Sequence, residues 1–219
     1  MTDMTDVFLL DVTFLNDDER FDRYYRELSP QRKARTDRYH QRSGKNLSIG
    51  ASVALNCALH RFGRHEKEMS YITSKNGKPY FQTFNRFFNI SHSGTLVLCS
   101  LSEKEIGCDV QLCQKTDYLP LARRFFTQQE YHRIFFSETP CETFYRMWTI
   151  KESYLKFTGD GIGKGLQFFS VDLQGDTPQI FKDGKKEDVF VREYPYREYC
   201  IAVCSAENNL PDAVTWIVP

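Results

Sequence analysis

Trp148, Glu152 and Lys156 recur every four residues within Phe144–Lys156, the stretch FYRMWTIKESYLK. The spacing predicts one helix with all three on nearly the same face, because side chains four apart lie about 5–6 Å from one another at Cβ. A carboxylate and an ammonium so placed can address one ligand together. Taken alone, an i,i+4 Glu–Lys pair is an ordinary surface feature worth roughly a few tenths of a kcal/mol. A second stretch changes the balance: Ile106–Gln111 (IGCDVQ) reads as a short strand with an acid in its middle. Asp109 and Gln111 are two apart and share one side of that strand. With Glu152 they offer oxygen ligands from two elements, which suits Mg²⁺, an ion usually held by one or two carboxylates plus substrate phosphates. Lys151 and Lys156 lie beside the acid, and Mg²⁺ with Lys or Arg is the equipment of phosphoryl transfer. Residue chemistry alone therefore points to a Mg²⁺–pyrophosphate site.

The elements that must position these groups are legible in outline. Val7–Phe14 reads as a buried strand. Ser29-Pro30 opens a helix, Ser as N-cap and Pro at the first helical position; it carries Arg32, Lys33, Arg35, Arg38 and Arg42. Such a basic helix is either a solvated surface or an anion site, since Arg binds phosphate bidentately. A second helix is expected over 46–61, closed by Gly63. Met69–Thr73 reads as a strand, followed by the turn Ser74–Pro79 with its Asn-Gly signal. Phe87–Ile90 and Thr95–Leu101 are strands flanking Ser91-His92-Ser93-Gly94, which places Ser91 and His92 at a strand end where side chains reach a ligand. Tyr118–Phe126 and Tyr131–Phe136 read as helical. Thr127–Glu130 matches a capping box, so Glu130 is either a cap or a catalytic acid. The glycine run 159–165 fails the phosphate-loop pattern and follows a helix rather than preceding one, so it reads as a flexible helix exit, a lid over the site. Strands are expected at Phe168–Leu173, Val189–Tyr194, Tyr199–Cys204 and Val214–Val218. The two halves, 1–105 and 106–219, look alike in outline without a visible sequence repeat.

Composition narrows the function classes. Twenty-nine basic and 29 acidic residues cancel over 219 residues, which argues against a general nucleic-acid or anionic-membrane surface. No apolar run approaches the ~20 residues that span a bilayer, and the N-terminus does not read as a secretory signal. The seven cysteines include no CxxC pair, and the five histidines add no zinc-like spacing. Thiols acting as small apolar residues in a reducing cytoplasm are the expectation.

FNISHSG (Phe88–Gly94), IGCDVQ, RRFFTQQEY (Arg123–Tyr131) and WTIKESYLK (Trp148–Lys156) together resemble the 4′-phosphopantetheinyl transferases, of the two-lobed, surfactin-synthetase-activating type. NGKP (Asn76–Pro79) and SPQRKAR (Ser29–Arg35) fit the same family, and the motifs span nearly the whole chain in order. The resemblance implies an α+β fold, a monomeric pseudo-dimer of two similar αβ halves with the active site in the cleft between them. It implies transfer of the phosphopantetheine arm of coenzyme A to a serine of an apo carrier protein, releasing 3′,5′-ADP. Asp109 and Glu152 would bind Mg²⁺, with Gln111, where some members have Glu, as a third or water-bridged ligand. Lys151 and Lys156 would contact the phosphates, Lys156 also assisting proton transfer or the leaving group. His92 and Arg32, with Arg35 close by, would hold the 3′-phosphate, at places where the family often has Lys for the two arginines. Lys75, Lys78, Pro79 and Ser91 would line the adenine and ribose side. The proton of the attacking serine leaves through Glu130, Glu152 or a metal-ordered water. Leu119, Phe125, Phe126 and Tyr131 are either the carrier-facing surface or core.

Two other functions fit parts of the pattern. A carrier-binding module that had lost catalysis would be expected to lack the two carboxylates, and both are present. A Mg²⁺-dependent pyrophosphatase would act without any carrier protein.

Overall fold

The computed structural model describes residues 5–114, 117–161 and 165–219. The fold is α+β. Strand β1 (Asp6–Asp11) runs into a 3-10 turn at Val12–Asn16, so the strand ends earlier than its apolar run. The Asp11 side chain accepts from the Thr13 amide and stops it there. Helix α1 (Asp18–Glu27), highly charged and absent from the sequence reading, is started by Asp17, whose carboxylate accepts from the Arg20 amide. Ser29 caps α2 (Pro30–Asp37) as its sequence predicts. Arg42 belongs instead to α3 (Arg42–His60), a 19-residue helix. Strands β2 (Tyr71–Thr73) and β3 (Pro79–Phe81) form a hairpin around the Asn76-Gly77 turn. Then follow β4 (Phe87–Ser93), β5 (Leu96–Ser102) and β6 (Ile106–Leu112). Short helices α4 (Leu119–Phe125) and α5 (Gln128–Phe135) lead to α6 (Pro140–Thr158), again of 19 residues. The C-terminal portion supplies β7 (Phe169–Asp172), β8 (Gln179–Lys182), β9 (Lys185–Lys186), β10 (Phe190–Glu193), β11 (Tyr199–Ser205) and β12 (Thr215–Trp216).

The two halves have matching cores. In the first, β1, β5 and β4 are antiparallel neighbours backed by α3; in the second, β10, β11 and β6 are antiparallel neighbours backed by α6. The closing strand β12 returns to pair parallel with β1. Strand alternation sorts the apolar side chains. Val7 and Leu9 of β1, Leu96 and Leu98 of β5, Ile106, Cys108 and Val110 of β6, and Ile201 and Val203 of β11 form one apolar layer shared by both sheets. The intervening residues of β6, namely Gly107, Asp109 and Gln111, therefore sit on the other side, toward α6.

That side is unusually close to the helix. A Cβ on Gly107 would lie 2.1 Å from the Ser153 carbonyl oxygen and 2.2 Å from the Phe157 amide nitrogen. Only a residue without a side chain lets β6 approach α6 this closely. The glycine before the acid thus fixes the distance between Asp109 and the helix carrying Glu152 and Lys156.

The halves are joined along β4 and β6 by side chains. Asn89 Oδ1 accepts from the Cys108 amide at 2.9 Å, the Ser91 hydroxyl donates to Asp109 Oδ1 at 2.6 Å, and Ser93 Oγ accepts from the Leu112 amide at 3.0 Å. Of three alternate residues of one strand, two thereby satisfy backbone amides of the other and the third its carboxylate. Lys78 adds a second tie: its buried ammonium donates to the carbonyls of Ile106 and Phe157 and pairs with Glu105 at 2.6 Å.

Candidate active site

The β4–β6 seam brings the three carboxylate-site elements together. Asp109, Gln111, Glu152, Lys156 and Trp148 line one cavity of about 330 Å³ with Ser91 and His92. Asp109 is 1% exposed, and its Oδ1 takes two donors, Ser91 Oγ and the Lys156 ammonium, each at 2.6 Å. Gln111 Nε2 donates to Oδ2 at 3.1 Å. Lys156 also donates to Ser91 Oγ at 2.9 Å. Burial works against its charge, but Asp109 outweighs burial with help from Glu152, and the ammonium is held above its ordinary value.

Glu152 is treated differently. It is buried, and its Oε1 has no hydrogen-bond partner among the described residues. Burial first, then the negative charge of Asp109, push its carboxyl up, with Lys156 opposing. Two carboxylates therefore share one ammonium, and a buried lone-pair oxygen points at no donor. Such a group costs stability unless it serves a ligand. Hard oxygen donors with one excess negative charge fit a divalent cation such as Mg²⁺. Among the described residues no group of three His, Cys, Asp or Glu converges; the third oxygen available here is the Gln111 amide.

A second, basic cavity of about 670 Å³ adjoins the first, and Ile90 and His92 line both. Helix α2 supplies Arg32 and Arg35, its C-cap supplies Arg38, and the hairpin supplies Gly77 and Pro79. Arg32 is held from behind: its Nε donates to Glu66 Oε1 at 2.8 Å, a second nitrogen pairs with the same oxygen, and Ser52 donates to Glu66 Oε2. Asn56 accepts from the Glu66 amide at 2.7 Å. Arg35 is exposed at the cavity wall. His92 stands where both cavities meet. Partial burial, then the cations Lys156 and Arg35, hold its imidazole below the ordinary value.

Several residues implicated by sequence lie elsewhere. Lys151 does not reach the cavity. It is fully buried, donates to the Leu166 and Phe169 carbonyls at 2.8 and 2.6 Å, and pairs with Glu130 at 2.9 Å. One residue along a helix is about 100° around it, so Lys151 turns into the core when Glu152 faces the cavity. Burial pulls its ammonium down and Glu130 opposes. Glu130 is the cap rather than a cavity acid: Oε2 accepts from the Thr127 amide and hydroxyl, and Oε1 accepts from the Val171 amide and pairs with Lys151. Lys78 is spent on the carbonyls of Ile106 and Phe157 and on Glu105. Ser91 donates to Asp109 and lines the carboxylate cavity, outside the residues lining the basic one. Lys75 is exposed on its turn, outside the residues lining the basic cavity, whereas Pro79 does line it. Of the apolar candidates, Phe126 is core, packed edge-on to Phe144. Residues 162–164 of the glycine run lie outside the described residues; Gly159 ends α6 in a left-handed conformation, φ +71°.

Sequence reasoning did not single out Glu66, Ser52 and Asn56, because support for Arg32 comes from a distant loop and helix. Nor did it find Glu105 as the partner of Lys78.

A curated 4′-phosphopantetheinyl transferase of Bacillus subtilis is 32% identical over 200 residues, covering 88% of each chain. The chain belongs to the 4′-phosphopantetheinyl transferase family. The family model for the 4′-phosphopantetheinyl transferase superfamily matches residues 105–204, which include both carboxylates of this transferase site. The 4′-phosphopantetheinyl transferase Sfp of Bacillus subtilis (strain 168) is 27% identical over 205 residues, 91% of each chain. The holo-[acyl-carrier-protein] synthase of Thermotoga maritima aligns with 46% of this chain and 61% of its own, at 16% identity and a TM-score of 0.39.

Proposed function

We propose that this transferase moves the 4′-phosphopantetheine arm of coenzyme A to a serine of an apo carrier protein and releases 3′,5′-ADP. The observation that carries the reading is the adjacency of the basic cavity and the two-carboxylate cavity through Ile90 and His92. A ligand with a phosphate at one end and a pyrophosphate at the other would span them. Arg32, Arg35 and His92 would take the 3′-phosphate. Asp109, Glu152 and the Gln111 amide would hold Mg²⁺, which when bound neutralises charge on the pyrophosphate oxygens. Lys156 would stabilise the charge that builds on the leaving phosphate as its P–O bond breaks. The carrier serine would attack the β-phosphorus in line, and its proton would pass to the oxygen of Glu152 that the ion leaves free. Glu130, with both oxygens engaged, drops out of that role.

Residues 1–105 and 106–219 are read as two lobes, with β12 reaching back across the boundary to the first sheet. Among the described residues no helix is long and apolar enough to cross a membrane. A monomer working in the cytoplasm on acyl, peptidyl or polyketide carriers accords with the balanced charge and with cysteines held as thiols rather than disulfides.

Intact-mass spectrometry of an apo carrier after incubation with coenzyme A and Mg²⁺ tests the reaction. The carrier should gain the mass of phosphopantetheine, and the gain should vanish with EDTA or Asp109→Ala. Cleavage of coenzyme A at equal rate without any carrier would sink the transferase reading in favour of a pyrophosphatase.

A further inference from the structure

Cys113 continues the series Asp109, Gln111 on the α6 side of the sheet, immediately after β6. Cys200 stands directly across from Gln111 in the β6–β11 register. The Cys113 amide donates to the Glu198 carbonyl at 2.8 Å, so the ladder extends through Cys113 and the two cysteines are diagonal neighbours. Their sulfurs are 3.3 Å apart. Cys200 is buried, whereas Cys113 is partly open to solvent. Nothing in the reaction above uses either thiol.

We infer that Cys113 and Cys200 form a reversible, oxidant-sensitive dithiol site whose disulfide disturbs the carboxylate cavity beside it. The effect on transfer rests on the function proposed above; the bond itself does not. A disulfide has an S–S distance of about 2.05 Å, so the sulfurs must close by about 1.2 Å. Directly opposed residues suit a bridge better than diagonal ones, whose Cα atoms are set about 7–8 Å apart in a regular sheet. Closure therefore drags the end of β6, and Gln111 is two residues away on the same face.

The chemistry needs a peroxide as oxidant. The Cys113 thiolate attacks one peroxide oxygen, the O–O bond breaks, and Cys113 becomes a sulfenic acid as hydroxide departs, which takes up the proton lost by the thiol and leaves as water. The Cys200 sulfur then attacks that sulfur. The S–S bond forms, the S–O bond breaks, and the Cys200 proton leaves with the hydroxide as a second water. The dithiol gives up two electrons and the peroxide takes them. The partly open Cys113 sulfur is the one a peroxide reaches, and the buried Cys200 sulfur resolves it, an arrangement typical of redox-sensing pairs in reducing compartments.

The test uses the full chain with hydrogen peroxide, then dithiothreitol. Peptide mapping should find a Cys113–Cys200 cross-link with loss of two hydrogens. Transfer should fall on the order of a hundredfold, the effect of an ångström-scale displacement at a reacting centre, and dithiothreitol should restore it. Cys200→Ser should keep its own untreated rate after peroxide, and Cys113→Ser should do the same should the buried substitution fold poorly. A different pairing, sulfenic acid at Cys113 without a cross-link, or a mapped cross-link with transfer unchanged would each overturn the inference. The mapped bond and its effect on thermal stability need no transfer assay, so failure of the proposed reaction is distinguishable from failure of this site.

Discussion

The Lys156 ammonium lies 2.6 Å from Oδ1 of Asp109, an oxygen that also accepts from Ser91, while Oε1 of Glu152 one helical turn back accepts from nothing among the described residues. One carboxylate is over-supplied and the other is left open. The open one is expected to trade stability for function. Glu152→Gln removes a buried charge facing Asp109, so the melting temperature of the metal-free protein should stay level or rise. Transfer should fall by about 10²–10³, the scale of removing one preorganised electrostatic group. Thermal melts and single-turnover carrier loading of the same preparation measure both. A coupled loss of stability and activity would show Glu152 to be structural.

The buried Lys151–Glu130 pair makes the opposite forecast. Both side chains face the core and are hydrogen-bonded there. Lys151→Met leaves Glu130 buried without its cation and should cost about 3–5 kcal/mol. Glu130→Gln should also destabilise, with turnover near that of the unaltered protein at a temperature where the variant is folded. The double variant should recover much of the loss, because removing both charges leaves neither uncompensated. Chemical denaturation and kcat at low temperature provide the check; a folded Glu130→Gln protein with kcat down a hundredfold would return Glu130 to the chemistry.

Much of this was readable beforehand for local reasons. Ser29-Pro30, Thr127 with Glu130, and Gly159 act within a turn or two of their own position, so their sequence signals survive into the fold. The face shared by Trp148, Glu152 and Lys156 follows from helical spacing alone. The inward turn of Lys151 is not legible, because a basic residue next to an acid gives no sign of which way it turns. Here burial of the ammonium over the Phe169 ring, 4.3 Å away, decided it. The ties of Lys78 to Phe157 and of Glu66 to Arg32 on α2 leave no local signal, because they are set by tertiary contact. The seam of Asn89, Ser91 and Ser93 was visible only as a polar strand end; that it substitutes for a backbone ladder depends on which strand lies opposite.

Gly107 is the tightest point of that tertiary arrangement. Gly107→Ala places a methyl 2.1 Å from the Ser153 carbonyl oxygen, against helix backbone that has no freedom to yield. Overpacking of this kind costs about 1–3 kcal/mol and sometimes more. The variant should melt well below the unaltered protein and lose transfer even where folded, since β6 carries Asp109. An unchanged melting temperature would mean that β6 and α6 are further apart than described.

Arg32 and Arg35 share a cavity but not an environment, which separates their effects. Arg32→Ala strands Glu66 in a buried pocket with Ser52 and should cost both stability and affinity for coenzyme A. Arg35 is exposed, so Arg35→Ala should leave the melt unchanged and weaken coenzyme A by about tenfold, the worth of one charge-assisted hydrogen bond. Calorimetric titration with coenzyme A and with its 3′-dephospho form tells whether the lost contact is to the 3′-phosphate. Equal weakening for the two ligands would move that phosphate away from α2.

His92 supplies the pH dependence. Partial burial first, then Lys156 and Arg35, keep the imidazole below its ordinary value of 6.5, so in the free site it is neutral at pH 7. Lowering of a histidine on folding means that the folded protein binds fewer protons than the unfolded chain. The stability tied to His92 is thus present above 6.5 and is lost as the pH falls through that value. A phosphate beside the ring reverses the preference, because it favours the imidazolium. Binding of coenzyme A should therefore take up a proton, and affinity should rise by roughly tenfold between about pH 8 and pH 6. The phosphate itself gains a proton near pH 6, which works against binding. The informative quantity is accordingly the difference between the native profile and that of His92→Ala. The rise should be absent in the variant and absent for 3′-dephospho-coenzyme A; parallel profiles for the native and variant proteins would remove His92 from the phosphate site.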